Sequence, residues 1–371
     1  MNNSHELAIE HSAYSLGQKL EELHDNILER FPGIDRIACA LYDAETDMLK
    51  TFINSTQSGH AIVGYEYPLQ KSEWLNELAK HRKCRVIDDI SDVIHTDTAH
   101  SAWLLEQGYF SSLTIPMMSG ANLIGFVFFD SAEKHYFNER TERDLLLFSN
   151  MISMTIALEI SAVRSLLATA QAAREFAQMR DFETGTHLTR MAQISRLIAR
   201  GVAKVYQLSD EKIEHIYLFA PLHDIGKIGI PDSILLKRGR LTPEEYEVMK
   251  SHVEKGVEII TNVLEDYELS YMADSQVMIN IVAAHHEKLD GSGYPKGLKA
   301  EQIPIEARIV CVADIFDALA SSRPYKEAWS IAESLNELDR LVGDGKIDGP
   351  CVEALKQNIQ TASEILAKYV D

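Results

Sequence analysis

The apolar positions of this chain change period along its length, and the change separates three stretches. In the first, Leu16, Leu20, Leu23, Ile27 and Leu28 recur at helical spacing, and Pro32-Gly33 ends that helix. Residues 36–42 and 48–53 read as two strands around a polar turn at 43–47. Residues 112–116 and 123–130 read as a second pair, joined near Ser119-Gly120-Ala121-Asn122. A helix is predicted over 72–81, and the segment 88–108 is less regular. Together these predict an α+β domain over residues 14–160, an antiparallel sheet flanked by helices.

From residue 139 to about 179 the pattern becomes one long helix without Gly or Pro. Leu145, Phe148, Ile152, Ile156, Ile160, Val163, Leu167 and Ala170 form its apolar stripe. Such a stripe suits either pairing with a symmetry mate or packing inside one chain, and both readings stay open. After residue 180 the strand signal almost disappears. Thr242-Pro243-Glu244-Glu245 is a capping box with Pro at the first helical position, and Ser209-Asp210-Glu211 opens another helix with acids at its positive end. Residues 161–371 therefore predict an all-α domain joined to the first by the long helix.

Composition narrows the partners. The net charge of −20 disfavours a nucleic acid polymer or an anionic membrane, and would repel a phosphodiester unless cations reverse the field locally. No uninterrupted apolar run reaches the roughly 20 residues of a membrane span, and the first residues show no signal-peptide pattern. Cys39, Cys84, Cys311 and Cys351 are scattered, as expected of reduced thiols in a cytoplasmic protein. Cys39 lies inside a predicted strand and is expected in the core. The histidines before residue 136 follow no spacing rule and are read as surface residues.

The later histidines do follow a pattern. Glu183 and His187 stand four apart, which on a helix places them on one face. His223-Asp224, His252, His285-His286 and Asp314 follow. A carboxylate in a run as apolar as Ile309-Val310-Cys311-Val312-Ala313-Asp314 needs a partner. These imidazoles and carboxylates exceed the roughly four to six donors one metal takes, and fit two or three ions with an Asp bridging. The cations would make the site net positive inside an acidic protein and draw in a phosphate ester. His215 lies outside the set and is read as a non-ligand.

The order His187, His223-Asp224, Asp314 resembles the HD phosphohydrolase superfamily. Glu183-Thr184-Gly185-Thr186-His187, His223 to Lys227, His285-His286-Glu287, Asp290-Gly291-Ser292-Gly293-Tyr294-Pro295 and Arg323-Pro324-Tyr325-Lys326 resemble its HD-GYP branch over about residues 170–365. The family's Asp-Arg-Pro-Tyr-Arg run is Ser322-Arg323-Pro324-Tyr325-Lys326 here. The first domain is similar, more loosely, to GAF domains, which bind small ligands or act as dimerisation and signalling platforms.

The resemblance implies hydrolysis of the bacterial second messenger cyclic di-GMP to pGpG or GMP, under control of the GAF-like domain. It implies two or three divalent ions, iron or alternatively manganese, held by Glu183, His187, His223, Asp224, His252, His285, His286 and Asp314. Asp224 would bridge, and Glu183 goes with a third ion. A water activated between the metals would attack phosphorus in line. Lys227 would hold a phosphate oxygen or assist the leaving oxygen. Tyr294, Arg323 and Lys326 would bind substrate. A homodimer is expected. Preference for 3′,3′-cyclic GMP-AMP, a non-hydrolysing cyclic dinucleotide sensor, and a general HD nucleotide phosphohydrolase are the alternatives.

Overall fold

The computed structural model describes residues 15–57, 59–93, 99–176, 185–237, 239–266, 275–321 and 328–370. Helix α1 (Leu16–Leu28) is capped by Ser15, whose hydroxyl accepts from Gln18 N. Six strands follow: β1 (Arg36–Asp43), β2 (Met48–Thr56), β3 (Glu66–Pro68), β4 (Arg85–Ile87), β5 (Ser111–Ser119) and β6 (Asn122–Ser131). They form one antiparallel sheet in the order β3-β2-β1-β6-β5-β4. The two predicted strand pairs are its four long central members. The edge strands β3 and β4 have three residues each, too few to show a period of two. Helices α2 (Glu73–His81), α3 (Ile90–Val93) and α4 (Ala99–Gln107) lie between the strands, the last two inside the less regular segment.

The core of this domain joins α1 and α5 (Glu139–Phe176) to one face of the sheet through Leu20, Ile27, Ile37, Leu113, Val127, Phe129, Leu145 and Ile152. Each such buried side chain contributes roughly 1.5–3 kcal/mol. Cys39 is buried there, and burial pushes its thiol up to about 12. His24 corrects the expectation of surface histidines, for it is fully buried. Its Nε2 donates to the Ile34 carbonyl at 2.9 Å, and its Nδ1 lies 2.8 Å from the Ser55 hydroxyl. It shares the buried face of α1 with Leu20, four residues before, and Ile27, three after, so helical spacing was the signal that placed it inside.

Helix α5 belongs to both cores. Leu145, Ile152 and Ile156 pack on the sheet, while Val163 packs in the helical domain. The predicted stripe thus packs inside the chain as far as it is described; the side chains of Leu167 and Ala170 fall outside the described residues. A different face, Leu147, Met151, Met154 and Leu158, is left exposed. By length and composition alone, 139–163 is also apolar enough to cross a membrane.

The second domain is helical: α6 (Gly185–Tyr206), α7 (Asp210–Phe219), α8 (Asp232–Leu235), α9 (Pro243–Lys250), α10 (His252–Asp266), α11 (Ser275–Ala284), α12 (Ile305–Ala320), α13 (Ile331–Gly343), α14 (Gly349–Gln357) and α15 (Ile359–Lys368). Helix α6 is central and packs on α7, α12 and α14, with Ile194, Ile198, Phe219, Ile309 and Phe316 buried between them.

The acids that open α7 reach beyond their own helix. Asp210 accepts from the Thr51 hydroxyl at 2.5 Å and from Gly64 N at 2.9 Å. Glu211 accepts from Leu16 N at 2.6 Å and Gly17 N at 3.1 Å, so the helical domain caps α1 of the sheet domain. Asp210 and Glu211 thus stand in the first turn of α7, as expected, and bridge to the sheet domain as well.

Candidate metal centre

Five elements converge on one point. His187 lies in the first turn of α6. His223 and Asp224 sit between two 3₁₀ turns, Ala220–Leu222 and Ile225–Gly229. His252 opens α10, His285 and His286 follow the end of α11, and Asp314 is on α12. Gly226 makes the convergence possible. A Cβ there would collide with the His252 carbonyl and the Gly256 backbone, so only glycine lets the 3₁₀ turn lie on α10. Past the histidine pair, buried Glu287 accepts from Lys296 N at 2.7 Å and Leu298 N at 3.0 Å. That folds the glycine-rich loop back, with Gly293 against the Glu287-Lys288 backbone.

The donors form two groups. Asp224, His252, His285 and His286 each offer an atom within 4.8 Å of the others, and so do His187, His223 and Asp314. Asp224 joins the groups: one carboxylate oxygen is 3.1 Å from His223 Nε2, and the other is 3.0 Å from His252 Nε2 and 3.6 Å from His285 Nε2.

The opposite ring nitrogens are tied down. Nδ1 of His223 donates to the Ala220 carbonyl at 2.9 Å, and Nδ1 of His252 to the Met249 carbonyl at 2.8 Å. Nδ1 of His285 meets the Ile281 and Val282 carbonyls at 3.1 Å each. A carbonyl only accepts, so each Nδ1 carries the proton and each Nε2 keeps its lone pair. Nε2 of His252 and of His285, and Oδ1 of Asp224, are buried without a well-aligned hydrogen-bond partner. Buried polar atoms left so are rare, and this donor set fits divalent cations.

The electrostatics agree. Burial opposes ionisation of Asp224, yet Lys227 and His223 hold its carboxyl well below the usual carboxylate range. Burial lowers His285, and burial with His285 beside it lowers His286 further, so both are neutral and able to ligate near pH 7. Lys227 Nζ is 2.8 Å from Asp224 Oδ2, the shared turn being 3₁₀. Tyr294 lies over His286, ring centroids 4.6 Å apart, and burial raises its hydroxyl pKa. His215 packs on Phe219 and Phe52, outside both donor groups. Glu183, Arg323 and Lys326 lie outside the described residues.

Two residues absent from the sequence reading stand behind the centre. Asp317 Oδ2 accepts from His187 Nδ1 at 2.6 Å, and Arg190 Nε donates to Asp317 Oδ1 at 2.6 Å. The available signal was spacing: each lies three residues after a donor on the same helix, Arg190 after His187 and Asp317 after Asp314. A cavity of about 640 Å³ lies between the domains, bounded by Asp43, Lys50, Arg196, Glu214 and Tyr217 and reaching Asp224. A second, of about 200 Å³, lies within the sheet domain beside Arg36, Cys39, Tyr65 and His100.

Comparison with known proteins supplies names for these parts. A family model described as HD domain matches residues 149–350, and one described as GAF domain matches 26–160. The cyclic di-GMP phosphodiesterase response regulator RpfG of Xanthomonas campestris is 43% identical over 193 residues, 52% of this chain and 48% of that protein. A cyclic di-GMP phosphodiesterase of Thermotoga maritima is 42% identical over 192 residues, with the same two shares. A 3′3′-cGAMP-specific phosphodiesterase 2 of Vibrio cholerae is 43% identical over 161 residues, 43% of this chain and 29% of that protein. The chain thus spans about half the length, or less, of these curated relatives.

Proposed function

The chain belongs to the HD domain family, and from that premise we propose that it hydrolyses a cyclic dinucleotide, cyclic di-GMP first, to pGpG or GMP. The observation that carries this is the set of buried histidines whose Nδ1 atoms are tied outward while their Nε2 atoms face Asp224. His187, His223 and Asp314 would hold one cation, and His252, His285 and His286 another, with Asp224 between. Iron, alternatively manganese, suits mixed imidazole and carboxylate donors. Glu183 is the proposed ligand of a third ion. When bound, the ions supply Lewis acidity and an activated water.

The chain's own residues do the rest. Asp224 stays ionised beside Lys227 and orients both histidine groups. The Lys227 ammonium, partly exposed, is placed to hold a non-bridging phosphate oxygen. The Tyr294 hydroxyl stays protonated and can donate to phosphate, while its ring lies tilted against that of His286. Arg323 and Lys326 are proposed to hold the far phosphate or a guanine edge.

Residues 14–160 would be the regulatory unit and 161–371 the catalytic one, a boundary that falls within continuous α5. The exposed Leu147, Met151, Met154 and Leu158 recur at alternating spacings of four and three, the seam of a two-stranded coiled coil, which favours a homodimer. The cytoplasm, where the messenger is found, is the proposed location, in keeping with four unpaired cysteines.

A second reading, preference for 3′,3′-cyclic GMP-AMP, is favoured by the similarity to the Vibrio cholerae enzyme. The test is anaerobic purification, elemental analysis, and turnover of both dinucleotides side by side. We expect bound iron or manganese and release of pGpG or GMP. Metal-loaded protein that converts neither dinucleotide would remove the proposal and leave a sensor role.

A further inference from the structure

We propose that the sheet domain sets the orientation of His187 through a strut of hydrogen bonds running from the β1–β2 turn. This rests on the assignment of His187 as a metal ligand. At the inner end Asp317 is fully buried and accepts from His187 Nδ1 at 2.6 Å. Arg190 fixes that carboxylate from two sides, with Nε 2.6 Å from Oδ1 and Nη2 3.2 Å from Oδ2. Arg190 follows His187 by three residues on α6, so both side chains face Asp317 from one helix.

The third nitrogen of the guanidinium leads outward. Nη1 donates to the Tyr369 carbonyl at 2.7 Å, just past the end of α15. The Tyr369 hydroxyl donates to Glu45 Oε2 at 3.3 Å, and Lys368 Nζ donates to the Glu45 carbonyl at 3.2 Å. Glu45 is exposed in the turn between β1 and β2. The same turn also reaches α6 directly, for Asp43 Oδ2 accepts from Arg196 Nη2 at 3.3 Å, and it is held by Lys50 Nζ of β2 at 2.6 Å.

A planar guanidinium with several fixed partners cannot rotate independently of them. Moving the Tyr369 carbonyl would therefore move Arg190, then Asp317, then the His187 ring. Partners behind a ligating imidazole set its tautomer and aim, and their loss costs about 10–100-fold in metal affinity. Asp317 and Arg190 are thus positioning residues, and Glu45 is the point where the regulatory domain touches the chain of contacts.

The test is titration of metal-free protein with manganese(II), following the free ion by electron paramagnetic resonance, with thermal unfolding of the same metal-free samples. Asp317→Asn should weaken one class of site about 10–100-fold. The surface pair Glu45→Ala with Lys368→Ala should weaken the same class about 2–30-fold and leave the metal-free melt unchanged. In the Asp317→Asn background the pair should have no further effect, because the strut is already cut. An equal effect of the pair in both backgrounds, or no effect in the wild-type background, overturns the strut while leaving the metal centre standing. Wild-type protein that takes up neither manganese(II) nor, anaerobically, iron(II) overturns the metal centre and the strut with it.

Discussion

His24 in the sheet domain and His285 in the helical domain are both buried, and the protein treats them differently. His24 engages both ring nitrogens inside its own fold, with Ser55 on one side and the Ile34 carbonyl on the other. His285 ties only Nδ1 and turns Nε2 toward Asp224. The carboxylates divide in the same way. Asp130 is closed off by Arg36 at 2.5 Å and Ser112 at 2.7 Å, whereas Asp224 keeps a buried oxygen with no aligned donor. Burial alone therefore does not mark function. A polar group tied on one side and left open on the other toward similar groups does, because leaving it unmatched would otherwise cost about 1–3 kcal/mol.

The sharpest way to break this contrast is at the bridging carboxylate. Asp224→Ala should reduce cyclic dinucleotide hydrolysis about a hundred- to a thousandfold, the scale of losing electrostatic stabilisation of the reacting phosphate. Elemental analysis should show loss of metal, while circular dichroism shows the helical fold retained. Activity within tenfold of wild type would mean that Asp224 is a structural acid like Asp130.

Next come the two histidines. His24→Ala strands a hydroxyl and a carbonyl in the core and should destabilise the protein by about 2–3 kcal/mol with or without metal. His285→Gln should instead abolish the rise in melting temperature on adding manganese(II), with a smaller effect on the metal-free melt. Paired calorimetry, with and without metal, checks both. A metal-dependent effect at His24, or none at His285, would erase the distinction.

The smallest effect is on pH. Burial lowers the pKa of His24, and burial lowers that of His100 to about 4. Each folded-state value lies below the ordinary 6.5, so the unfolded chain binds more protons in between. The stability they contribute is complete above pH 6.5 and is lost as pH falls, for His100 down to about 4. Melting of the metal-free protein should drop through that window, and His100→Gln should make the slope shallower. An unchanged slope would mean that His100 does not contribute.

Much of this was legible in the sequence, and the gaps have physical causes. The long strands and helices showed because each repeats a period over many residues; β3 and β4 are too short to do so. Among the described positions, every expected metal donor lies in one of the two groups, since imidazoles and carboxylates at those spacings carry their chemistry in their identity. Asp317 and Arg190 carry no such mark, for an acid and an arginine on two helices read as an ordinary ion pair. His24 stands on the apolar face of α1 with Leu20 and Ile27, but histidine is found inside and outside alike, so its identity did not decide; the outward reach of Asp210 and Glu211 was hidden by their fitness as acids at a helix start.

Local order was thus written in the chain itself: where helices begin, where strands alternate, and which side chains can bind a cation. Tertiary structure alone decided which nitrogen of each histidine stays open, which domain caps α1, and which turn supports Arg190. Those outcomes depend on groups far apart in the chain, such as Glu45 and Tyr369 or Glu211 and Leu16. Hydrogen bonds are directional over about 3 Å, so only the packed arrangement determines which of many possible partners arrives.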